Sequence, residues 1–148
     1  MPMYNEEETI GSVVTRTLRY VDEVICIDDG SSDASARIAE ACGATVIRHR
    51  VNRGYGGALK TLFLEATNLD ADALVLLDSD GQHETRDIPK LLKPILDGEA
   101  DFAIGSRFVD GGGGTDMPAY RRLGIKVITA ASNLSSELGI KDTQSGFR

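Results

Sequence analysis

The run of residues 73–78, ALVLLD, constrains the fold more than any other part of the chain. Its apolar side chains fall on both faces of an extended strand, a pattern typical of the interior of a parallel sheet that helices cover on two sides. Three further segments, EVICID, TVIRH and DFAIGSRF, are predicted as strands over residues 23–28, 45–49 and 101–108.

Segments with a helical spacing of apolar residues alternate with these strands. They are predicted over approximately residues 10–21, 33–41, 58–69 and 88–96. Asn5 is the predicted N-cap of the first helix, and Gly43 is predicted to end the second. The alternation predicts an α/β fold, a doubly wound sheet that is mostly parallel and has helices on both faces.

Length and composition fit one globular domain. The chain has 148 residues, of which 41% are hydrophobic, and its net charge is −7. Lysine and arginine are scattered, which argues against a nucleic-acid partner and favours a small anionic ligand. Cys26 and Cys42 lack metal-type spacing and are predicted to be reduced core residues. No apolar run reaches the roughly 20 residues that span a bilayer, so a cytoplasmic location is expected.

Acidic residues follow two of the predicted strands. Asp28 and Asp29 end the strand 23–28, and Asp78 and Asp80 end the run 73–78. Sheets of this kind bind ligands at the carboxyl ends of their strands, so the four carboxylates are expected at one edge. Their repulsion needs a cation or hydrogen-bond donors, and hard oxygen ligands suit Mg²⁺ or Mn²⁺.

Several residues near these acids have two interpretations. Gln82 offers another metal ligand and His83 could bind a metal or orient a ligand, but an Asp-x-Asp pair also occurs where it only caps a turn. The glycines of NRGYGGA, residues 52–58, suit either a phosphate cradle or close helix packing. Asp33 is predicted to cap a helix, and His49 is given no role.

Six segments in register carry a family resemblance. They read PMYNEEETIGSVV, VICIDDGSSDAS, NRGYGGALKTLF, LVLLDSDGQHE, AIGSRF and DTQSGFR, and they extend from Pro2 to Arg148. Their order resembles that of family 2 glycosyltransferases with the GT-A fold, most of all the branch with dolichyl-phosphate mannose and glucose synthases. The resemblance implies a GT-A, Rossmann-like α/β domain that binds a nucleotide sugar.

The resemblance also implies roles for individual residues. Pro2, Tyr4 and Glu6 match the motif that holds the nucleotide base and ribose, and Asp28 and Asp29 match the acidic pair that completes this pocket.

The metal and the phosphates are assigned to the later motifs. Asp78, Ser79 and Asp80 match the D-x-D segment, with Asp80 and Gln82 facing the metal and Asp78 nearer the ribose or metal. Arg107 and Arg148 match arginines that contact donor and acceptor phosphates, and with Asp80 they are the expected catalytic residues.

The implied reaction is an inverting transfer from a nucleotide sugar to a polyprenyl or dolichyl phosphate, with Mg²⁺ or Mn²⁺ as cofactor. GDP-mannose, UDP-glucose and UDP-N-acetylglucosamine all remain open as donors. The lipid acceptor implies peripheral membrane contact at the cytoplasmic face. A homo-oligomer is compatible with the sequence.

Three alternatives stay open on the sequence. Asp142 could act as a base if the acceptor is a sugar hydroxyl. A Mg²⁺-binding phospho-receiver domain also has an early acid pair and an Asp after a run such as LVLLD, but it needs a lysine where this chain has Arg107. A sugar-1-phosphate nucleotidyltransferase should open with a glycine-rich basic loop, whereas this chain opens with PMYNEEE.

The whole chain, residues 1–148, is predicted to be one GT-A catalytic domain. Relatives of the resembled branch carry an apolar strand before the first motif and further helices after the last one. The domain is therefore expected to be incomplete at both ends.

Overall fold

The computed structural model describes residues 1–105 and 146–147. Its sheet has three parallel strands in the order of the chain: β1 (Pro2–Met3), β2 (Ile25–Asp28) and β3 (Thr45–Arg48). Pro2 is in register with Ile27, and Asp28 is in register with Arg48. The carboxyl ends of all three strands therefore lie at one edge.

In the described part of the chain, four helices surround this sheet: α1 (Ile10–Thr17), α2 (Ser35–Ala41), α3 (Gly54–Asn68) and α4 (Ile88–Leu96). A short 3₁₀ turn over Thr85–Asp87 precedes α4. None of the helices in the described part of the chain is long and apolar enough to cross a membrane.

The core consists of two clusters, one on each face of the sheet. On one face, α1, α2 and α4 contribute to a cluster that contains Cys26 and Leu77. On the other face, α3 contributes Ala58 and Leu62 to a cluster with Ile27 and Leu76. Successive residues of β2 and of the run 73–78 thus point into opposite clusters, which confirms the predicted α/β fold with helices on both faces.

The prediction of a strand over residues 73–78 is wrong, because no strand forms there. The predicted burial of both faces of this run is confirmed. The run is extended, and Ser79 directly after it donates from its hydroxyl to the carbonyl of Pro2 at 3.0 Å. It therefore lies beside β1. An apolar run becomes a ladder strand only where a neighbour supplies hydrogen-bond partners, and β1 comprises two residues.

The strand predicted over residues 101–108 is likewise not found in its described part, residues 101–105. Within this segment, the backbone N–H of Gly105 donates to the carbonyl of Phe147 at 2.9 Å. Residues 106–108 lie outside the described residues.

The helix boundaries also differ from the prediction at several places, since α1 ends at Thr17 instead of residue 21 and α2 begins at Ser35 instead of residue 33. Asn5 is not the N-cap of α1, because Thr9 holds that position and Asn5 adopts a left-handed φ of 55°. Helix α3 begins at Gly54, four residues before the predicted start, since the weak helix propensity of its glycines hides the first turn. Gly43 follows α2 with a φ of 97°, as expected for a helix-ending glycine.

Candidate functional site

A cavity of about 350 Å³ opens at the carboxyl edge of the sheet. Its walls come from β1 and the loop after it, from Asp29, from the start of α3, and from the turn that follows the run 73–78. Segments that are far apart in the chain meet here because the strands are parallel, so the loops that follow them all leave the sheet at the same edge.

Seven of the predicted site residues line this cavity together: Pro2, Tyr4, Glu6, Asp29, Asp78, Ser79 and Asp80. Asp28 and Gln82 do not line it. Arg107, Arg148 and Asp142 lie outside the described residues.

Asp28 and Gln82 are used in local turns. Asp28 is 4% exposed, and its Oδ1 accepts the N–H of Ser31 at 2.9 Å, which holds the turn after β2. Gln82 donates its backbone N–H to Oδ1 of Asp80 at 2.9 Å, and its own side chain is exposed. Gln82 therefore fixes the carboxylate of Asp80 through its backbone.

The loop that follows β1 is tied to the loop that follows β2. Oδ1 of Asn5 accepts the N–H of Ser32 at 2.9 Å, and the N–H of Glu6 donates to Oγ of Ser35 at 2.7 Å. Asp33 accepts the N–H of Ser35, the first residue of α2, at 2.9 Å, but the N-cap position of that helix belongs to Ala34, so Asp33 lies one residue before the position predicted for it. These bonds position Tyr4 and Glu6 on the rim of the cavity.

Asp29 is held by donors of the protein itself. Its Oδ1 accepts Nδ1–H of His49 at 2.7 Å and the backbone N–H of Arg53 at 2.8 Å. Burial alone would raise the pKa of Asp29, but these bonds and one from the amide of Gly54 outweigh it and lower the pKa below its ordinary value. Asp29 is therefore an ionised acceptor at the cavity wall.

His49 is a residue that the sequence did not identify. Its side chain is 4% exposed, and its Nε2 lies 2.9 Å from the hydroxyl of Thr61 on α3. A signal exists in the register: Asp28 pairs with Arg48, so the next residues of the two strands, Asp29 and His49, are neighbours.

Asp78 is bound on both carboxylate oxygens. The hydroxyl of Tyr55 donates to Oδ1 at 3.1 Å, and Nε2 of His83 lies 3.3 Å from Oδ2. The hydrogen bond with His83 is the largest cause that lowers the pKa of Asp78, ahead of the opposing effect of burial. His83 thus orients Asp78, a role that the sequence did not predict for it.

Gly146 and Phe147, near the end of the chain, contact the same turn. The ring of Phe147 stacks on His83 with centroids 5.4 Å apart. A Cβ on Gly146 would lie 2.6 Å from Cγ of Asp78. Gly146 is therefore a position where only hydrogen fits against the carboxylate.

Ser79 connects three elements of the site. Its hydroxyl donates to the carbonyl of Pro2, and its own carbonyl accepts the hydroxyl of Thr9 at 2.8 Å. These bonds make the turn at Asp78–Asp80 rigid from the side of β1 and α1.

The acidic residues of the cavity can supply some, but not all, of the ligands of a divalent cation. Within residues 1–105 and 146–147, no group of three or more histidine, cysteine or acidic side chains could hold a metal alone. The four-carboxylate cluster expected from the sequence does not form, because Asp28 and Asp29 are bound by protein donors. Asp78 and Asp80 share the cavity, and Mg²⁺ or Mn²⁺ commonly takes one or two carboxylates and completes its shell with ligand phosphates and water.

Comparison with known proteins gives the same motifs a family. Residues 1–147 match the profile described as glycosyl transferase family 2. The UDP-N-acetylglucosamine–dolichyl-phosphate N-acetylglucosaminyltransferase of Methanococcus voltae is 31% identical over 100% of this chain and 66% of its own length. The dolichol-phosphate mannosyltransferase of Pyrococcus furiosus is 35% identical over 99% of this chain and 44% of its own length.

Solved structures show the same architecture. The glucosyl-3-phosphoglycerate synthase of Mycobacterium tuberculosis, in complex with Mn²⁺ and uridine-diphosphate-glucose, superposes with a TM-score of 0.72 at 29% identity. The match covers 99% of this chain and 52% of that one, and it confirms the GT-A type of α/β fold. The chain spans about half to two thirds of the length of these relatives. Since the family profile covers all but the last residue, the chain belongs to glycosyl transferase family 2.

Proposed function

We propose that this domain transfers a sugar from a nucleotide diphosphate sugar to a polyprenyl or dolichyl phosphate, with inversion at the anomeric carbon and with Mg²⁺ or Mn²⁺. The observation that carries the proposal is the cavity in which Tyr4, Glu6, Asp29, Asp78 and Asp80 meet at the carboxyl edge of the sheet. Membership of a glycosyltransferase family supports this function over a receiver domain or a nucleotidyltransferase.

Two groups of residues in the cavity lining suit the two parts of a nucleotide diphosphate. Pro2, Tyr4 and the ionised Asp29 lie where they can bind a base and ribose, whose N–H and O–H groups need an acceptor. Asp78 and Asp80 lie where a cation and the diphosphate can be held. The bound cation would supply positive charge that stabilises the departing diphosphate.

The reaction needs no general base when the acceptor is a phosphate. An acceptor oxygen that is already ionised forms the new bond to the anomeric carbon from the face opposite the diphosphate. The bond from that carbon to the diphosphate oxygen breaks, and its electron pair leaves with the nucleoside diphosphate. Arg107 and Arg148 are the proposed contacts of the donor and acceptor phosphates, because the guanidinium group binds phosphate oxygens in pairs.

The choice of acceptor follows the relatives. Their names specify dolichyl phosphate or dolichol phosphate for two homologues that cover nearly all of this chain. A lipid acceptor would bring the domain to the cytoplasmic surface of a membrane as a peripheral protein. GDP-mannose, UDP-glucose and UDP-N-acetylglucosamine remain the candidate donors, and a homo-oligomer remains part of the proposal.

A variant at Asp142 separates this acceptor from a sugar hydroxyl. Asp142→Asn should keep most of the transfer to a polyprenyl phosphate, because an ionised phosphate needs no proton removed. Transfer would be followed with radiolabelled donor and extracted lipid. Near-complete loss in a folded variant would instead favour a hydroxyl acceptor with Asp142 as base.

The donor site is tested by calorimetry with GDP and UDP, each with and without Mn²⁺. We expect one nucleotide to bind in a metal-dependent manner, and Asp80→Ala to abolish that binding. Asp22→Ala is the matched control, because Asp22 is exposed in the loop before β2, away from the cavity. If neither nucleotide binds to the folded wild type, the proposed function is wrong.

A further inference from the structure

We propose that His49 is a positioning residue for the nucleoside end of the site: it fixes the carboxylate of Asp29 and, with it, the loop from β3 to α3 that walls the cavity. The inference rests on the proposed function for its ligand, since it assigns the nucleoside of the donor to Asp29. Its structural part, that His49 positions Asp29, stands on the geometry alone.

The first observation is that a single carboxylate oxygen anchors two parts of the chain. Oδ1 of Asp29 accepts both Nδ1–H of His49 at 2.7 Å and the N–H of Arg53 at 2.8 Å. His49 and Arg53 are the two ends of the loop between β3 and α3. Asn52 of this loop lines the cavity together with Asp29.

The second observation is that the loop packs closely on the turn after β2. Gly30 has a φ of +80°, and a Cβ there would lie 3.1 Å from the backbone nitrogen of Asn52. The loop thus rests directly on the residue that follows Asp29. Any movement of the Asp29 carboxylate would be passed to the wall of the cavity.

The third observation fixes how His49 itself is held. An ionised carboxylate only accepts, so Nδ1 of His49 carries the hydrogen toward Asp29. Nε2 is then paired with the hydroxyl of Thr61, which lies 3.2 Å from the carbonyl of Gly57 as well. With 4% of its side chain exposed, His49 is enclosed between β2 and the second turn of α3 and cannot contact a ligand itself. It therefore acts through Asp29.

The chemistry identifies the part of the ligand that depends on this arrangement. A buried carboxylate presented to a cavity binds N–H and O–H donors, which a base and a ribose carry and a diphosphate lacks. Loss of the fixed orientation of Asp29 should therefore weaken the binding of nucleosides and nucleotides. The binding of inorganic pyrophosphate with Mn²⁺ at Asp78 and Asp80 should be unaffected.

The test uses three variants of the protein. His49→Phe removes both ring nitrogens and keeps an aromatic ring. His49→Asn keeps a donor where Nδ1 lies, and Thr61→Val removes only the hydroxyl partner of Nε2. Each is measured for thermal melting, for calorimetric binding of GDP, UDP and Mn²⁺ pyrophosphate, and for hydrogen exchange of the Arg53 amide in the absence of ligand.

We expect His49→Phe to speed exchange at Arg53 and to weaken nucleotide binding by about tenfold or more, with pyrophosphate unchanged. His49→Asn should recover most of both effects, and Thr61→Val should show a smaller loss of the same kind. Equal weakening of nucleotide and pyrophosphate, or wild-type exchange at Arg53 in folded His49→Phe, would overturn the inference.

Failure of the proposed function gives a different result. If the wild type binds neither nucleotide but the Arg53 amide responds to the variants as expected, the assignment of the ligand is wrong and the positioning of Asp29 by His49 holds.

Discussion

The two groups of carboxylates that line the cavity, Asp29 on one hand and Asp78 with Asp80 on the other, are held in different ways. Asp29 has a side chain that is 6% exposed and is bound by a buried histidine and by backbone amides of a loop that packs on it. Asp78 has a side chain that is 31% exposed and is bound by Tyr55 and His83, both of which belong to the cavity's own rim or the turn beside it. Among the residues that the structure describes, Asp80 has one bond, from the backbone of Gln82.

This difference distinguishes Asp29, whose carboxylate is held in one orientation, from Asp78 and Asp80, whose carboxylates can change partners. A carboxylate whose donors are all part of the fold keeps one orientation, which suits selective binding of a nucleoside. Carboxylates that are partly exposed and bound by side chains can exchange a partner for a cation at lower cost, because less of their hydration has been lost.

The largest effect on activity is expected from a substitution at Gly146, which contacts Asp78. Gly146→Ala would place a methyl group 2.6 Å from Cγ of Asp78, so either the carboxylate or the backbone at Gly146 must move. Initial rates of sugar transfer should fall about 100-fold, as displacements of about 1 Å at reacting groups do.

Gly56→Ala is the control for that variant. A Cβ on Gly56 meets nothing within 4 Å, so this change should leave transfer intact. If Gly146→Ala keeps the wild-type rate, Gly146 does not define the position of Asp78. The contrast between Asp29 and Asp78 would then rest on their hydrogen bonds and exposure alone.

A smaller effect, on stability in acid, is expected from a substitution of Asp29. The pKa of Asp29 is lowered in the folded state, so its contribution to stability is complete above its unfolded value of about 4 and is lost as pH falls through the folded value. Urea unfolding between pH 7 and pH 3 should show wild type losing stability below about pH 4, with Asp29→Asn less stable at neutral pH and less sensitive to acid.

Some acid sensitivity should persist in that variant. The pKa values of Asp33 and Asp78 are lowered as well, and both lose stabilising charge over the same range. Parallel curves for wild type and Asp29→Asn, offset by a constant, would contradict the view that Asp29 is more stable as a carboxylate in the folded protein.

The fold was largely predictable because its signal is periodic. Leu76 and Leu77 point into opposite core clusters, as a run that is apolar on both faces requires. The meeting of Asp29 with Asp78 and Asp80 was also predictable, since parallel strands place their carboxyl ends together.

What the sequence did not reveal depends on pairing between segments. The burial of His49 follows from the register of β2 and β3, and a single histidine at a strand end carries no pattern of its own. Tyr55 was overlooked because its glycine neighbours hid the first turn of α3. The expected four-carboxylate metal cluster was wrong because Asp28 and Asp29 obtain their compensation from hydrogen-bond donors, which spacing does not show.

The most direct test of the two-ended site compares Asp29→Asn and Asp80→Asn by calorimetry, with the nucleotide that wild type binds and with pyrophosphate, both in Mn²⁺. Asp80→Asn should lose both ligands, whereas Asp29→Asn should lose affinity for the nucleotide and keep pyrophosphate. If both variants weaken the two ligands to the same extent, the cavity is not divided into a nucleoside end and a metal-diphosphate end.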